Sequence, residues 1–150
     1  MKVNDAVIIR KFSLKELSRI MEIESASFAS DAFSENIFLN LYRRCSNLFI
    51  IAEISKIIAG YMITCSTYRK WRVISIAIDP IYRCKGIGSG LANTTFNQLK
   101  ASSIKSLELE VRITNSEGIC FWKSLGFLPL KIIPNYYFNG TDALIMRKLL

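Results

Sequence analysis

A chain of 150 residues, 51% of them hydrophobic, can bury roughly 70% of the surface it exposes when unfolded, so its stability requires neither a metal nor a disulfide. Lysines and arginines number 20 against 12 acidic residues, and the net charge of +8 suits acidic or phosphate-bearing partners without choosing among them. The chain has no histidine, which excludes mixed cysteine–histidine zinc sites and any Ser-His or Cys-His nucleophile.

From the N-terminus, "AVIIRK" reads as a short strand. Ser13 and Glu16 form a capping-box pattern ahead of Leu14, Leu17, Ile20, Met21 and Phe28 at helical spacing. A loop, "ASDAFSEN", leads to a second helix from Ser34 to about Arg44, with Ile37, Phe38 and Leu41 on one face. "LFIIAEI" and "IIAGYMITCS", separated by Ser55-Lys56, predict a hairpin, and "RVISIAI" a third strand that stops at Asp79-Pro80. After a glycine-rich turn a helix is expected over Leu91–Leu99. "SLELEVR" alternates as a strand, with Leu107, Leu109 and Val111 on one side and Glu108, Glu110 and Arg112 on the other. A short helix over Glu117–Leu125 ends at Gly126, and "LPLKIIP" and "DALIMRKLL" give two last strands around "NYYFNG". The order is mixed α/β, and only the strand–helix–strand unit at its centre demands a parallel pair.

No repeat or low-complexity linker interrupts this order, so a single domain over residues 1–150 is expected. No apolar run approaches the ~18 residues of a membrane span, and residues 1–30 show no leader pattern. A cytoplasmic protein without membrane association is the expectation. The cysteines, Cys45, Cys65, Cys84 and Cys120, are spaced by 20, 19 and 36 residues, which fits no zinc ribbon or finger. They are read as buried free thiols, and no metal site is expected.

The segment "YRCKGIGSGLA" places Gly86, Gly88 and Gly90 within five residues, after a strand and before a helix. Such a turn is an anion site: first-turn N–H groups point outward, the helix dipole adds about half a positive charge, and glycine admits a ligand close to the backbone. Arg83 and Lys85 add full charges. A Walker A loop is absent, and Leu91 stands where a Rossmann fingerprint needs its third glycine.

Arg83-x-x-Gly86-x-Gly88 after "SIAIDPIYR" resembles the acetyl-CoA loop of the GNAT acetyltransferases, and the likeness continues through "LELEVRITNSEGICFWKSLGF". "LEVRITN", "SLGF" and "PNYYFNGTDALIM" are similar to the N-terminal protein acetyltransferases, including those acting on ribosomal-protein alanine and on nascent chains. The resemblance implies a central, twisted, mostly antiparallel sheet with helices on both faces and one parallel pair splayed at the acetyl-CoA site. It implies acetyl-CoA as cosubstrate, held by Arg83, Cys84, Lys85, Gly86, Ile87, Gly88 and Ser89, by the backbone of Ile76, Ala77 and Ile78, and by Asn115 and Trp122. Phe33 and Glu35 in "AFSEN", with Tyr136 and Tyr137, would hold the substrate.

The implied reaction is direct attack of a free α-amino group on the thioester. An α-amine with a pKa of roughly 7.7–8.0 is mostly protonated at neutrality, so a base is needed, and without histidine a carboxylate acting through water is the natural one. Glu110 matches the glutamate of the family's "LEVR", and Glu35 is the alternative. The other readings are a surface carboxylate paired with Arg112 or Lys105, a dipole-complementing acid at a helix start, and a turn residue at Asn115. Arg72 stands where relatives often carry histidine. Trp122 replaces the tyrosine usual near the coenzyme sulfur, leaving Tyr136 or Tyr137 to protonate a thiolate that leaves tolerably unaided. Polypeptide N-termini, ribosomal or nascent, are the implied partners, with nucleic acid expected only through proximity to the ribosome. A GNAT enzyme acting on lysine or a small amine, and a CoA-binding module without turnover, are the alternatives.

Overall fold

In the computed structural model, residues 6–150 are described; the first five residues of the stretch read above for a leader lie outside them. The elements follow the expected order: β1 (Val7–Lys11), α1 (Leu17–Phe28), α2 (Glu35–Cys45), β2 (Phe49–Ile54), β3 (Ile57–Thr67), β4 (Lys70–Ile78), α3 (Ile87–Ala101), β5 (Ser106–Arg112), α4 (Ser116–Ser124), β6 (Leu128–Ile133) and β7 (Ala143–Leu149). Hydrogen-bonded neighbours run β1-β2-β3-β4-β5-β7-β6, and β4 with β5 is the parallel pair, Arg72 opposite Glu108. The class is mixed α/β. The chain divides into two compact units, one of residues up to Cys65 with Ile74–Gln98, the other of Ser66–Val73 with Leu99–Leu150.

In the first unit β1, β2 and β3 pair antiparallel, Ile9 opposite Ala52 and Phe49 opposite Ile63. Both faces of β2 and β3 are buried, which is why their sequence is a near-continuous apolar run rather than an alternation. One face carries Phe49, Ile51, Tyr61 and Ile63, packed with Ile20 and Ile23 of α1 and Phe38 and Leu41 of α2. On the other, Thr95 of α3 donates to the Met62 sulfur at 3.7 Å, so helices cover both faces. The capping expectation holds in that Glu16 accepts the Ser13 N–H at 2.9 Å. Leu14, Phe28 and Ile37, expected on apolar faces, are exposed. The predicted hairpin turn is present with Ser55 and Lys56 at φ 50° and 67°, the left-handed pair that matches strand twist in a two-residue loop.

Two expectations need correction. Helix α3 begins at Ile87, not Leu91, so Gly88 and Gly90 are its first turn. That turn runs close to β1, since a Cβ on Gly90 would sit 3.4 Å from Ile9 Cδ1. Cys45 and Cys65 are not free thiols: they form a disulfide with Cα atoms 5.1 Å apart, joining the end of α2 to β3. Cys84 and Cys120 are free but exposed.

In the second unit β5 pairs antiparallel with β7 and β7 with β6. Leu107, Leu109, Val111, Ile145 and Met146 are buried, and so is Trp122, set edge-on to Phe127 at 5.1 Å. Helix α4 stops as expected before Gly126, whose φ is 94°.

Candidate functional site

The first unit carries the glycine-rich loop. β4 is drawn close to β3 at its end: a Cβ on Gly60 would come within 2.9 Å of the Ala77 carbonyl oxygen and 2.5 Å of Ile78 Cδ1, so only glycine permits this approach. Ala77 is buried, with Ile76 and Ile78 half-buried beside it. The chain is then fixed at Asp79, whose N–H donates to the Ala59 carbonyl at 2.8 Å and whose carboxylate accepts from Arg19 at 2.5 Å and from the Ile81 N–H at 3.1 Å. Burial works against that carboxylate, but the Arg19 hydrogen bond and the Ile81 N–H hold its pKa below the ordinary range.

Arg83 serves the loop as much as any ligand. Its Nε donates to the Ile78 carbonyl at 3.0 Å and its Nη2 to Ser27 at 3.1 Å. Cys84 and Gly86 take left-handed backbone, φ 62° and 80°, turning the chain into α3. Nothing lies within 4 Å of where a Gly86 Cβ would stand, so the space over the loop is open there, and exposed Lys85 flanks it. Ile87 is buried into the helix's inner face, while Gly88 and Ser89 are half-buried. The first N–H groups of a helix have no intrahelical partner, and here they sit beside two cations. The residues present therefore fit a pyrophosphate.

Also in the first unit lies a site residue that the sequence reading passed over. Glu24 of α1 is 1% exposed. Its Oε2 accepts the Phe33 N–H at 2.7 Å, and its Oε1 accepts the Tyr61 hydroxyl, which lies 3.1 Å from Ser75 Oγ. A buried carboxylate thus anchors the α1–α2 connection that contains Phe33. The signal was present: Glu24 occupies the buried stripe of Ile20 and Ile23, where an apolar residue belongs. Phe33 packs edge-on to Phe38 at 5.7 Å. Glu35 is exposed in the first turn of α2, behind the Ser34 cap.

The second unit brings together Glu110, Arg72 and Tyr136. Arg72 Nη1 donates to Glu110 Oε1 at 2.6 Å, and the Tyr136 hydroxyl donates to Oε2. Glu110 is thus tied to Arg72 across the parallel junction and to Tyr136. That hydrogen bond, then burial and the carboxylate's charge, push the Tyr136 phenol up to about 12, so it remains a donor at every physiological pH. Tyr137 packs edge-on to Tyr136 at 5.1 Å, under the Arg112 guanidinium 4.0 Å from its ring centre. Arg112 also reaches Asn139 at 2.9 Å, which ties the Tyr-Tyr loop to the end of β5.

Asn115 caps α4, its Oδ1 accepting the Gly118 N–H at 2.9 Å, and Trp122 is 5% exposed in the core of this unit. Among the described residues no group of three or more Cys, Asp or Glu side chains could hold a metal.

A model of the acetyltransferase (GNAT) family matches residues 15–127. The chain is 32% identical over 143 residues to an uncharacterized N-acetyltransferase of Methanocaldococcus jannaschii, covering 95% of this chain and 91% of that one. It is 31% identical over 139 residues to a putative [ribosomal protein bS18]-alanine N-acetyltransferase of Bacillus subtilis, covering 92% of each. Among solved structures it superimposes on Ard1 of Thermoplasma volcanium with a TM-score of 0.91 at 27% identity, covering 97% and 98% of the two chains.

Proposed function

Because the chain belongs to the GNAT acetyltransferase family and takes acetyl-CoA as its cosubstrate, we propose that it acetylates the free α-amino end of polypeptides, ribosomal or nascent, in the cytoplasm. Residues 1–150 act as one catalytic domain. The observation that carries this reading is the carboxylate–phenol–guanidinium cluster of Glu110, Tyr136 and Arg72. Support comes from the alanine N-acetyltransferase name of the Bacillus relative.

The coenzyme pyrophosphate lies against the amides from Arg83 to Ser89, with the amides of Ile76–Ile78 and the Asn115 side chain along the rest of the coenzyme. Glu110 is the base. Its two bonds use two of about four lone-pair positions on a carboxylate, so it accepts a further hydrogen bond from a water that relays the amine proton. Arg72 has a second effect: an ammonium at Glu110 meets a fixed positive charge as well, which favours the neutral, reactive amine. The amine nitrogen forms its bond to the carbonyl carbon, the carbon–sulfur bond breaks, and the sulfur leaves with its electron pair. The proton given up by the amine passes through Glu110 and ends on the departing thiolate or in solvent. A phenol near 12 is a poor acid toward a thiolate of pKa about 8.5, so Tyr136 orients Glu110 and does not protonate the sulfur. Tyr137 and Phe33 contact the peptide, and Glu35 attracts its charged end.

Acetyl transfer to short peptides differing in their first residue, followed by thiol release, tests the reading. Peptides with free N-termini should be acetylated, and the Tyr136→Ala, Tyr137→Ala double variant should raise peptide KM far more than coenzyme KM. Efficient acetylation of spermidine or free lysine with neglect of such peptides overturns the substrate assignment. Coenzyme binding without turnover on any amine overturns the enzyme reading.

A further inference from the structure

At the beginnings of β4 and β5 the second unit contains a cavity of about 320 Å³ lined by Arg69, Lys70, Trp71, Ser103, Ile104, Lys105, Ser106, Glu108 and Arg147. Four cations face one carboxylate there, and that carboxylate is already committed: Glu108 Oε2 accepts from Arg147 at 2.9 and 3.2 Å. Burial opposes the Glu108 charge, yet the Arg147 hydrogen bond and the charges of Lys70 and Arg147 hold it ionised below the usual range. Arg69, Lys70 and Lys105 are left as a positive surplus, with the hydroxyls of Ser103 and Ser106 among them. The carbonyls ending α3 do not cancel it, since those of Leu99 and Lys100 are taken by the N–H groups of Ser102, Ser103 and Ile104. None of these residues belongs to the acetyl-transfer machinery.

We propose that this cavity binds a phosphate-bearing nucleotide unit of a single-stranded nucleic acid. Phosphate chemistry follows from clustered cations and hydroxyl donors in one concavity. The aromatic residues decide for a strand. Trp71 lines the cavity, and Tyr68, on the adjoining β3–β4 turn, is fully exposed at 100% of its surface. Rings beside a cationic groove are stacking platforms for successive bases. The cavity's volume is at the low end for ligand pockets, enough for one phosphate and its base, so the next base of a strand lies outside it, on Tyr68. In the sequence the run Tyr68–Arg72 is too short for a nucleic-acid arm; the fold adds Lys105 and Arg147 to it.

The test is fluorescence anisotropy of a labelled single-stranded RNA of about ten nucleotides, titrated with the full chain between about 50 and 200 mM salt. Binding should weaken with salt, and Lys105→Glu should lower affinity about tenfold and reduce the salt slope by about one. Tyr68→Ala should lower affinity about tenfold with the slope unchanged. Lys123→Glu makes the same charge change on α4, away from the cavity lining, and should have little effect. Circular dichroism checks each fold, and Lys70→Glu replaces Lys105→Glu if the latter does not fold. No binding at low salt, or equal losses in Lys105→Glu and Lys123→Glu, overturns the site. Displacement of the strand by an equal concentration of a free mononucleotide overturns the assignment to a single strand.

Discussion

Glu24 gives the sharpest test of how the α1–α2 connection is held. The carboxylate is buried and bonds the Phe33 N–H and the Tyr61 hydroxyl, so the two obvious substitutions should differ widely. Glu24→Gln keeps an oxygen for the Phe33 N–H and turns its amide toward the Tyr61 oxygen, whose single hydrogen, given to Glu24 in the native protein, then turns to Ser75. Only charge assistance is lost, at about 1 kcal/mol. Glu24→Ala strands the Phe33 N–H in a dry site, at about 1–3 kcal/mol, shifts the Tyr61 hydroxyl onto Ser75, and leaves a void, so the total is about 3–5 kcal/mol. Against a typical stability of about 5–15 kcal/mol, that is a large share. Urea denaturation of the variants measures both. Glu24→Gln should also raise peptide KM while leaving coenzyme affinity close to the native value, because Phe33 belongs to the α1–α2 connection.

The same cluster gives a pH signature. Burial first, and Glu24 second, raise the Tyr61 phenol above its ordinary 10.0. A raised pKa means the folded state keeps a proton that the unfolded state loses. The contribution of Tyr61 is therefore complete below pH 10 and is lost as the pH rises beyond it. Alkaline denaturation should be shallower in Tyr61→Phe than in the native protein. Equal stabilities of Glu24→Gln and Glu24→Ala, or an unaltered alkaline limb in Tyr61→Phe, would refute the account of this network.

Gly86→Val should weaken acetyl-CoA binding by more than tenfold in calorimetry, since a branched residue is strained at φ 80° and its side chain would occupy the open space over the loop proposed to take the phosphates; unchanged affinity in the folded variant refutes the placement. Glu110→Gln should lower kcat about 10²–10⁴-fold with little change in coenzyme KM, less so at high pH where the amine is already neutral, and Tyr136→Phe should lower it by a smaller factor. Full activity of Glu110→Gln with loss in Glu35→Gln moves the base to Glu35. Opening the Cys45–Cys65 bond, which spans 20 residues, should remove about 3 kcal/mol by the loop-entropy estimate, or about 10 °C of Tm, read as a melt with and without reductant.

The element order was legible because burial patterns are local: the two-faced run of β2 and β3 and the alternation of β5 are written in adjacent residues. The start of α3 was not, because Gly88 and Gly90 weaken the helical signal in the first turn that the fold nevertheless forms from Ile87 onward. Pairings across strands were also illegible. Nothing near Arg72 announces Glu110, 38 positions on, and a spacing of 20 does not say whether Cys45 and Cys65 face each other. Glu24 is the instructive case, since a carboxylate on an apolar stripe is a question that local pattern raises and only the tertiary partners, Phe33 and Tyr61, answer.

Two glutamates, Glu35 and Glu110, are the candidates for the chemistry, Glu24 is a third carboxylate, and the surroundings of the three separate them. Glu24 is 1% exposed, with both oxygens committed to protein donors, so it acts as an anchor. Glu35 is exposed at the first turn of α2, behind the Ser34 cap, where bulk water surrounds it. Glu110 lies between these limits, its side chain 24% exposed. It is shielded enough for Arg72 and Tyr136 to fix its orientation, and open enough to accept a proton through one water. A general base needs geometry first and access second. Of the three, only Glu110 has both.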